Sequence, residues 1–124
     1  MARLLHVDDE CDIQEVVKMS LELVGDFEVE LAVSGAEGLA KAGSLLPDLI
    51  LLDVMMPGMD GPATLRALRE QPRTSGIPVI FMTAKVQSHE IAQYLALGAL
   101  GVIAKPFDPM SLPDQVRRLW NQSS

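Results

Sequence analysis

Apolar positions along this chain follow two rhythms. Leu49 to Leu52 and Ile77 to Met82 are continuous apolar runs, one ending in Asp53 and the other in Thr83. Runs of that kind suit strands buried on both faces. Arg3 to Val7 is a shorter β-like run that stops at Asp8-Asp9. Phe27, Val29, Leu31 and Val33 alternate with Glu28, Glu30 and Ala32, the period of a strand with one face partly wet. Between these runs the spacing becomes helical. Ile13, Val16, Val17, Ser20, Leu21 and Val24 form one stripe, closed by Gly25. Ser34 can cap a second helix that carries Leu39 and ends near Leu46-Pro47. A third starts at Pro62, where the missing N–H costs nothing. Ile91, Tyr94 and Leu95 mark a fourth, a short strand follows around Leu100 to Ala104, and Leu112, Val116 and Leu119 line a last helix to about Trp120.

Five strands alternating with five helices predict an α/β fold: a doubly wound, five-stranded parallel sheet covered on both faces. The amphipathic second strand and the short fifth suit the edges, as in the flavodoxin-like order 2-1-3-4-5. Residues 1–124 read as one domain with a core of about 3–120 and a short polar tail, Asn121 to Ser124. In such sheets the functional crevice opens at the carboxyl ends of the strands, beside the point where strand order reverses. Here that point lies between the strands that end in Asp8-Asp9 and in Asp53. Their neighbours end in Thr83 and in Lys105-Pro106.

Composition narrows the function. The 124 residues carry a formal charge of −7, unlike the basic surface expected of a direct nucleic-acid binder. No apolar segment approaches the roughly 18 residues of a membrane span, and no signal peptide fits the acidic start, so a cytoplasmic chain without membrane insertion is expected. The single cysteine, Cys11, excludes an internal disulfide and a multi-cysteine metal site, and reads as a small helix residue.

The rim constellation is three carboxylates, a hydroxyl and an amine. Two carboxylates about 4 Å apart repel by roughly 4 kcal/mol at an effective dielectric of about 20, so three demand a held proton or a cation. Oxygen ligands in a partly open site favour a hard ion such as Mg2+, which accepts one or two carboxylates plus a phosphate. Lys105 with the Thr83 hydroxyl makes a receptor for the oxygens of a tetrahedral anion. Metal and lysine together would clamp a transferring phosphoryl group, with a carboxylate as nucleophile.

LHVDDE, LILLDVMMPGMDG, IPVIFMTA and GVIAKPF resemble, in order and spacing, the four signature segments of response-regulator receiver domains of two-component signalling. The likeness runs from about Arg3 to Trp120. It implies that Asp53 accepts a phosphoryl group from a phosphohistidine on a histidine kinase or phosphotransfer protein, changing contacts with a downstream protein target. It also implies metal ligation by Asp9, by Asp8 directly or through water, by Asp53 and by the main-chain carbonyl of Met55. Thr83 would bond the phosphoryl group, Lys105 would pair with it, and the bond to Pro106 would be cis. On this reading the protein is not an enzyme beyond its own phosphorylation and dephosphorylation, and is a monomer or weak dimer. The output is expected to be a protein contact.

Other residues read more plainly. Asp8 and Asp9 also suit capping of the first helix; Glu10 reads as a solvated first-turn residue and Asp60 as loop chemistry. His6 and His89 are assigned no catalytic role, and the methionines read as packing residues. One position departs from the usual pattern, and two more fall where the family varies. Val102 stands three residues before the lysine, where receivers carry a switching tyrosine or phenylalanine, and a β-branched side chain is stiff there. Met55 and Lys85, two residues after Asp53 and Thr83, are poor general bases for a water attacking an acyl phosphate. The missing aromatic leaves a receiver-like interaction module with little phosphorylation as the alternative. An aspartate-based phosphohydrolase ranks below both, because Met55 stands where such enzymes place a second acid.

Overall fold

The computed structural model describes residues 2–122 and shows a five-stranded parallel sheet in the order β2-β1-β3-β4-β5. Strand β1 (Ala2–Val7) leads to α1 (Cys11–Met19), which continues as a π-helical turn, Ser20–Val24. Then come β2 (Phe27–Ala32), α2 (Gly35–Leu45), β3 (Leu49–Asp53), α3 (Gly61–Glu70), β4 (Val79–Thr83), α4 (Ser88–Ala96), β5 (Gly101–Ala104) and α5 (Leu112–Asn121). The strand order and the five helices are those expected from the apolar rhythm. The polar tail begins later than expected: Asn121 closes α5, and Ser123 and Ser124 lie outside the described residues.

Side chains of period two divide the sheet into two apolar layers. Leu5, Val7, Ile50, Leu52 and Phe81 pack against Leu65 and Leu68 of α3 and Tyr94 of α4. Leu4, Leu49, Leu51, Ile80, Met82 and Ile103 pack against Val17 and Leu21 of the first helix and Leu112 and Val116 of α5. Every residue of β3 and β4 is buried, which explains their unbroken apolar runs. Asp53 is thereby the single charged group of β3, carried to its end by a rigid central strand.

Local chemistry sets the helix starts. Ser34 accepts from the Glu37 N–H at 3.1 Å and caps α2 as expected. Asp60, read from the sequence as loop chemistry, is the cap of α3 and accepts from the Ala63 N–H at 2.9 Å. The expected capping of α1 by Asp8 or Asp9 is not what forms: Asp8 Oδ1 accepts from the Glu10 N–H at 2.9 Å, one residue before the helix. The expected first-helix stripe also shifts. Val17 and Leu21 are buried, but Val16 is 39% and Val24 50% exposed. The π-helical turn adds width to the helix at Ser20–Val24 and rotates Val24 away from the sheet. Val33 is exposed for another reason, since β2 ends at Ala32 and Val33 already belongs to the loop.

Candidate functional site

Pairing register decides which side chains meet at the rim. His6 is paired with Leu51, so Leu4, His6 and Asp8 rise along one face of β1 beside Leu49, Leu51 and Asp53 of β3. Asp53 pairs with Met82, and Met82 with Ile103, so Lys105 follows Ile103 upward on that same face. Asp8, Asp53 and Lys105 therefore cap the layer packed on α1 and α5. Thr83 follows Phe81 on the opposite face, and reaches the rim from the other side.

Lys105 Nζ lies 3.0 Å from Asp8 Oδ2 and 3.1 Å from Asp53 Oδ1, and 3.6 Å from Glu10 Oε1. Both aspartates are buried. Burial and the neighbouring charge of Asp8 hold the Asp53 carboxyl above the usual aspartate range, against the opposing pull of Lys105 and the Met55 main chain. For Asp8 burial also raises the pKa, but His6, the Glu10 N–H and Lys105 outweigh it, and its carboxyl titrates below the usual range. Burial lowers the Lys105 pKa, but the two aspartates reverse the shift and hold the ammonium above its ordinary value. The three groups thus form a compact, net negative cluster.

Asp53 Oδ2 is buried and has no hydrogen-bond partner among the described residues. Asp8, Asp9, Glu10 and Asp53 each place one carboxylate oxygen within 4.8 Å of the others. A buried carboxylate with one unpartnered oxygen, clustered with three further carboxylates, fits a hard, oxygen-seeking cation. Glu10, read from the sequence as a solvated first-turn residue, belongs to this cluster, and Asp9 and Glu10 supply its exposed side. Its membership follows from the tight turn between Val7 and α1, which hydropathy does not reveal.

The remaining sequence-predicted residues surround this centre. Thr83 is buried, and its Oγ1 accepts from the Lys85 N–H at 3.0 Å, which ties the loop after β4 to the rim. Met55 and Lys85 are exposed, and Val102 is partly buried against the layer that holds Phe81 and Tyr94. The Lys105–Pro106 peptide bond is cis. Gly61 packs so tightly that a Cβ there would lie 2.6 Å from the Asp53 carbonyl oxygen, which fixes the start of α3 against the end of β3. His6, placed by the sequence inside the first strand with no catalytic role, is fully buried with Nε2 3.5 Å from Asp8 Oδ2. The signal for this proximity was its position two residues before Asp8 in a strand, which puts both on one face.

Comparison with known proteins agrees with this fold. Residues 4–117 match the family model of the response regulator receiver domain. The chain is 40% identical over 123 residues to the DNA-binding dual master transcriptional regulator RpaA of Synechocystis sp., covering 99% of this chain and 51% of that protein. It is 40% identical over 116 residues to the response regulator Rre1 of the same organism, covering 94% of this chain and 50% of that one. The chain spans about half the length of these curated relatives. Among solved structures, the chemotaxis response regulator CheY4 of Vibrio cholerae superposes with a TM-score of 0.89 at 36% identity, covering 96% of this chain and 98% of that one.

Proposed function

This chain belongs to the response regulator receiver domain family, and from that premise we propose that Asp53 is its phospho-acceptor, drawing a phosphoryl group from a phosphohistidine on a partner kinase or phosphotransfer protein. The observation that carries this reading is the state of the Asp53 carboxylate: Oδ1 is held by Lys105 at 3.1 Å, while Oδ2 has no hydrogen-bond partner among the described residues. A carboxylate fixed through one oxygen by an ammonium is an oriented nucleophile. In the transfer, one oxygen of the Asp53 carboxylate forms the new P–O bond, the donor P–N bond breaks, and the histidine nitrogen leaves with the electron pair. Lys105 exchanges part of its contact with Asp8 for a phosphoryl oxygen, and the Thr83 hydroxyl donates to another.

Asp8, Asp9, Asp53 and the Met55 carbonyl would hold Mg2+, with Glu10 at the edge of the same cluster. Bound there, the ion supplies charge neutralisation for the acids and for the phosphoryl oxygens. The residues of this chain supply the rest: the buried strands fix the acceptor, Lys105 orients it, and the Thr83–Lys85 contact transmits the new charge to the loop before α4. Phosphorylation and dephosphorylation are on this reading the only reactions the chain promotes, and its output is a changed contact with a protein target. The formal charge of −7 supports a module that does not itself track nucleic acid, whatever a longer protein of this family carries beside it. No helix among the described residues is long and apolar enough to cross a membrane. We further read residues 1–124 as one receiver unit, acting as a monomer or weak dimer in the cytoplasm.

Incubation with acetyl phosphate and Mg2+, followed by intact mass measurement, tests the assignment. Wild type gains one hydroxylamine-sensitive phosphoryl group, and Asp53→Asn gains none. Equal labelling of the two proteins, or none of the wild type, overturns it.

A further inference from the structure

His6 is an expensive residue for its place. It sits one residue from the end of β1, fully buried, with Leu31 of β2 and Leu51 of β3 as its register partners. A leucine or valine would fill this position without taking two ring nitrogens out of water. Among the described residues neither nitrogen has a partner at normal hydrogen-bond length. Asp8 Oδ2 lies 3.5 Å from Nε2. That oxygen is already engaged by Lys105 Nζ at 3.0 Å, while Asp8 Oδ1 takes the Glu10 N–H at 2.9 Å. The imidazole therefore stands just behind an oxygen whose principal donor is Lys105.

We propose that His6 is a positioning residue for Asp8: its Nε2–H closes on Asp8 Oδ2 when Lys105 turns toward an oxyanion on Asp53, and so keeps the Asp8 carboxylate aimed at the metal cluster. The proposal rests on the reading of Asp53 as acceptor. Without a second donor, Asp8 Oδ2 would lose its partner at the moment the cluster gains negative charge. A buried carboxylate freed on one oxygen pivots about its remaining bond, here the Glu10 N–H. With His6 behind it, one bond replaces another and the carboxylate plane stays put. The proposal requires the tautomer with the proton on Nε2, the ring nitrogen that lies 3.5 Å from Asp8 Oδ2.

Nitrogen-15 NMR of the metal-free wild type reads the tautomer directly. The expected pattern is a protonated Nε2 and a bare Nδ1, and the Nε2 proton moves downfield when Mg2+ and beryllofluoride are added as a phosphoryl mimic. Calorimetric Mg2+ binding to three variants in the presence of beryllofluoride, the state in which Lys105 is drawn toward Asp53, supplies the second arm. His6→Leu should weaken binding by about tenfold, the range typical of removing a hydrogen bond to a ligating carboxylate. His6→Gln, whose amide nitrogen falls near the Nε2 position, should restore it to within about twofold of wild type, whereas His6→Asn, which mimics Nδ1, should not. A protonated Nδ1 with bare Nε2, or equal Mg2+ affinity in all three variants and wild type, overturns the proposal. If the variants fail to fold, the tautomer and the proton shift decide alone. A wild type that takes neither phosphoryl group nor beryllofluoride on Asp53 defeats the parent reading, and this proposal with it; failure in the variants or tautomer alone defeats only this one.

Discussion

Lys105 and Asp53 are held 3.1 Å apart at the end of two strands that are not neighbours in the sheet, with β4 lying between them. The same ammonium serves Asp8 at 3.0 Å, so one cation offsets two buried carboxylates. Removing it leaves the pair facing each other without compensation. Lys105→Met keeps the length and apolar stem of the side chain but not its charge, and is expected to cost about 2–3 kcal/mol at pH 7. Urea denaturation should show the deficit shrinking in acid, where the carboxylates take up protons. In the wild type, Lys105 has a raised pKa in the folded protein. Its stabilising contribution is thus complete below the ordinary lysine value and lost as pH rises through the folded one. A pH-independent deficit in the variant would refute the pairing as its cause.

Asp53 behaves in the opposite sense to Asp8. Its folded pKa is raised, chiefly by burial and then by Asp8, so the folded protein binds this proton more tightly than the unfolded chain does. The favourable contribution exists below the unfolded aspartate value and disappears as pH rises through the raised one. At neutral pH the ionised Asp53 is therefore a burden on stability. Asp53→Asn should raise Tm at pH 7 by roughly 4 °C, equivalent to about 1 kcal/mol for a domain of this size, and the gain should vanish in acid. Asp8 has a lowered pKa, so its contribution is present above the ordinary aspartate value and falls away as pH drops through the folded one. Asp8→Asn is accordingly expected to destabilise at pH 7, and calorimetric melts of the two variants side by side check both signs.

The sheet and its rim were legible because burial on both faces leaves a plain sequence mark. Leu49 to Leu52 and Val79 to Met82 had to be central strands, and a parallel sheet with right-handed crossovers then put Asp8, Asp53, Thr83 and Lys105 at one end. What escaped was set by backbone detail. The π-helical turn at Ser20–Val24 has no hydropathy signature, so Val24 read as buried. Glu10 joined the acidic cluster through a turn geometry invisible in composition. His6 was given no role because an apolar strand accommodates a lone histidine without changing its pattern, although its parity with Asp8 was there to be read.

Val102 bears on how a charge change at Asp53 travels. It packs, partly buried, against the layer of Phe81 and Tyr94, whose rings already meet edge to face at 5.3 Å between centroids. A β-branched side chain has few rotamers and cannot swing between inward and outward positions as a phenol can. Loading with beryllofluoride and Mg2+ should therefore produce smaller amide-shift changes on α4, β5 and α5 in the wild type than in Val102→Tyr. Equal changes in the two proteins would show that this position does not limit the response.

Met55 is expected to bear on the other end of the proposed cycle, the loss of the phosphoryl group. Its side chain is 61% exposed, two residues beyond the acceptor. A thioether neither takes a proton from water nor orients it by a strong hydrogen bond. Lys85, exposed two residues beyond Thr83, offers an ammonium with no acceptor capacity. A water approaching the acyl phosphate on Asp53 thus meets no side chain at either position able to align it for in-line attack, and slow self-dephosphorylation is expected. Met55→Asn supplies an amide that both accepts and donates, at an exposed position where the substitution disturbs little packing. Its acyl phosphate should decay several times faster than that of the wild type when followed by phosphorus-31 NMR after removal of the phosphodonor. An unchanged decay rate would mean that the water is positioned elsewhere, with the acidic edge formed by Asp9 and Glu10 the next place to look.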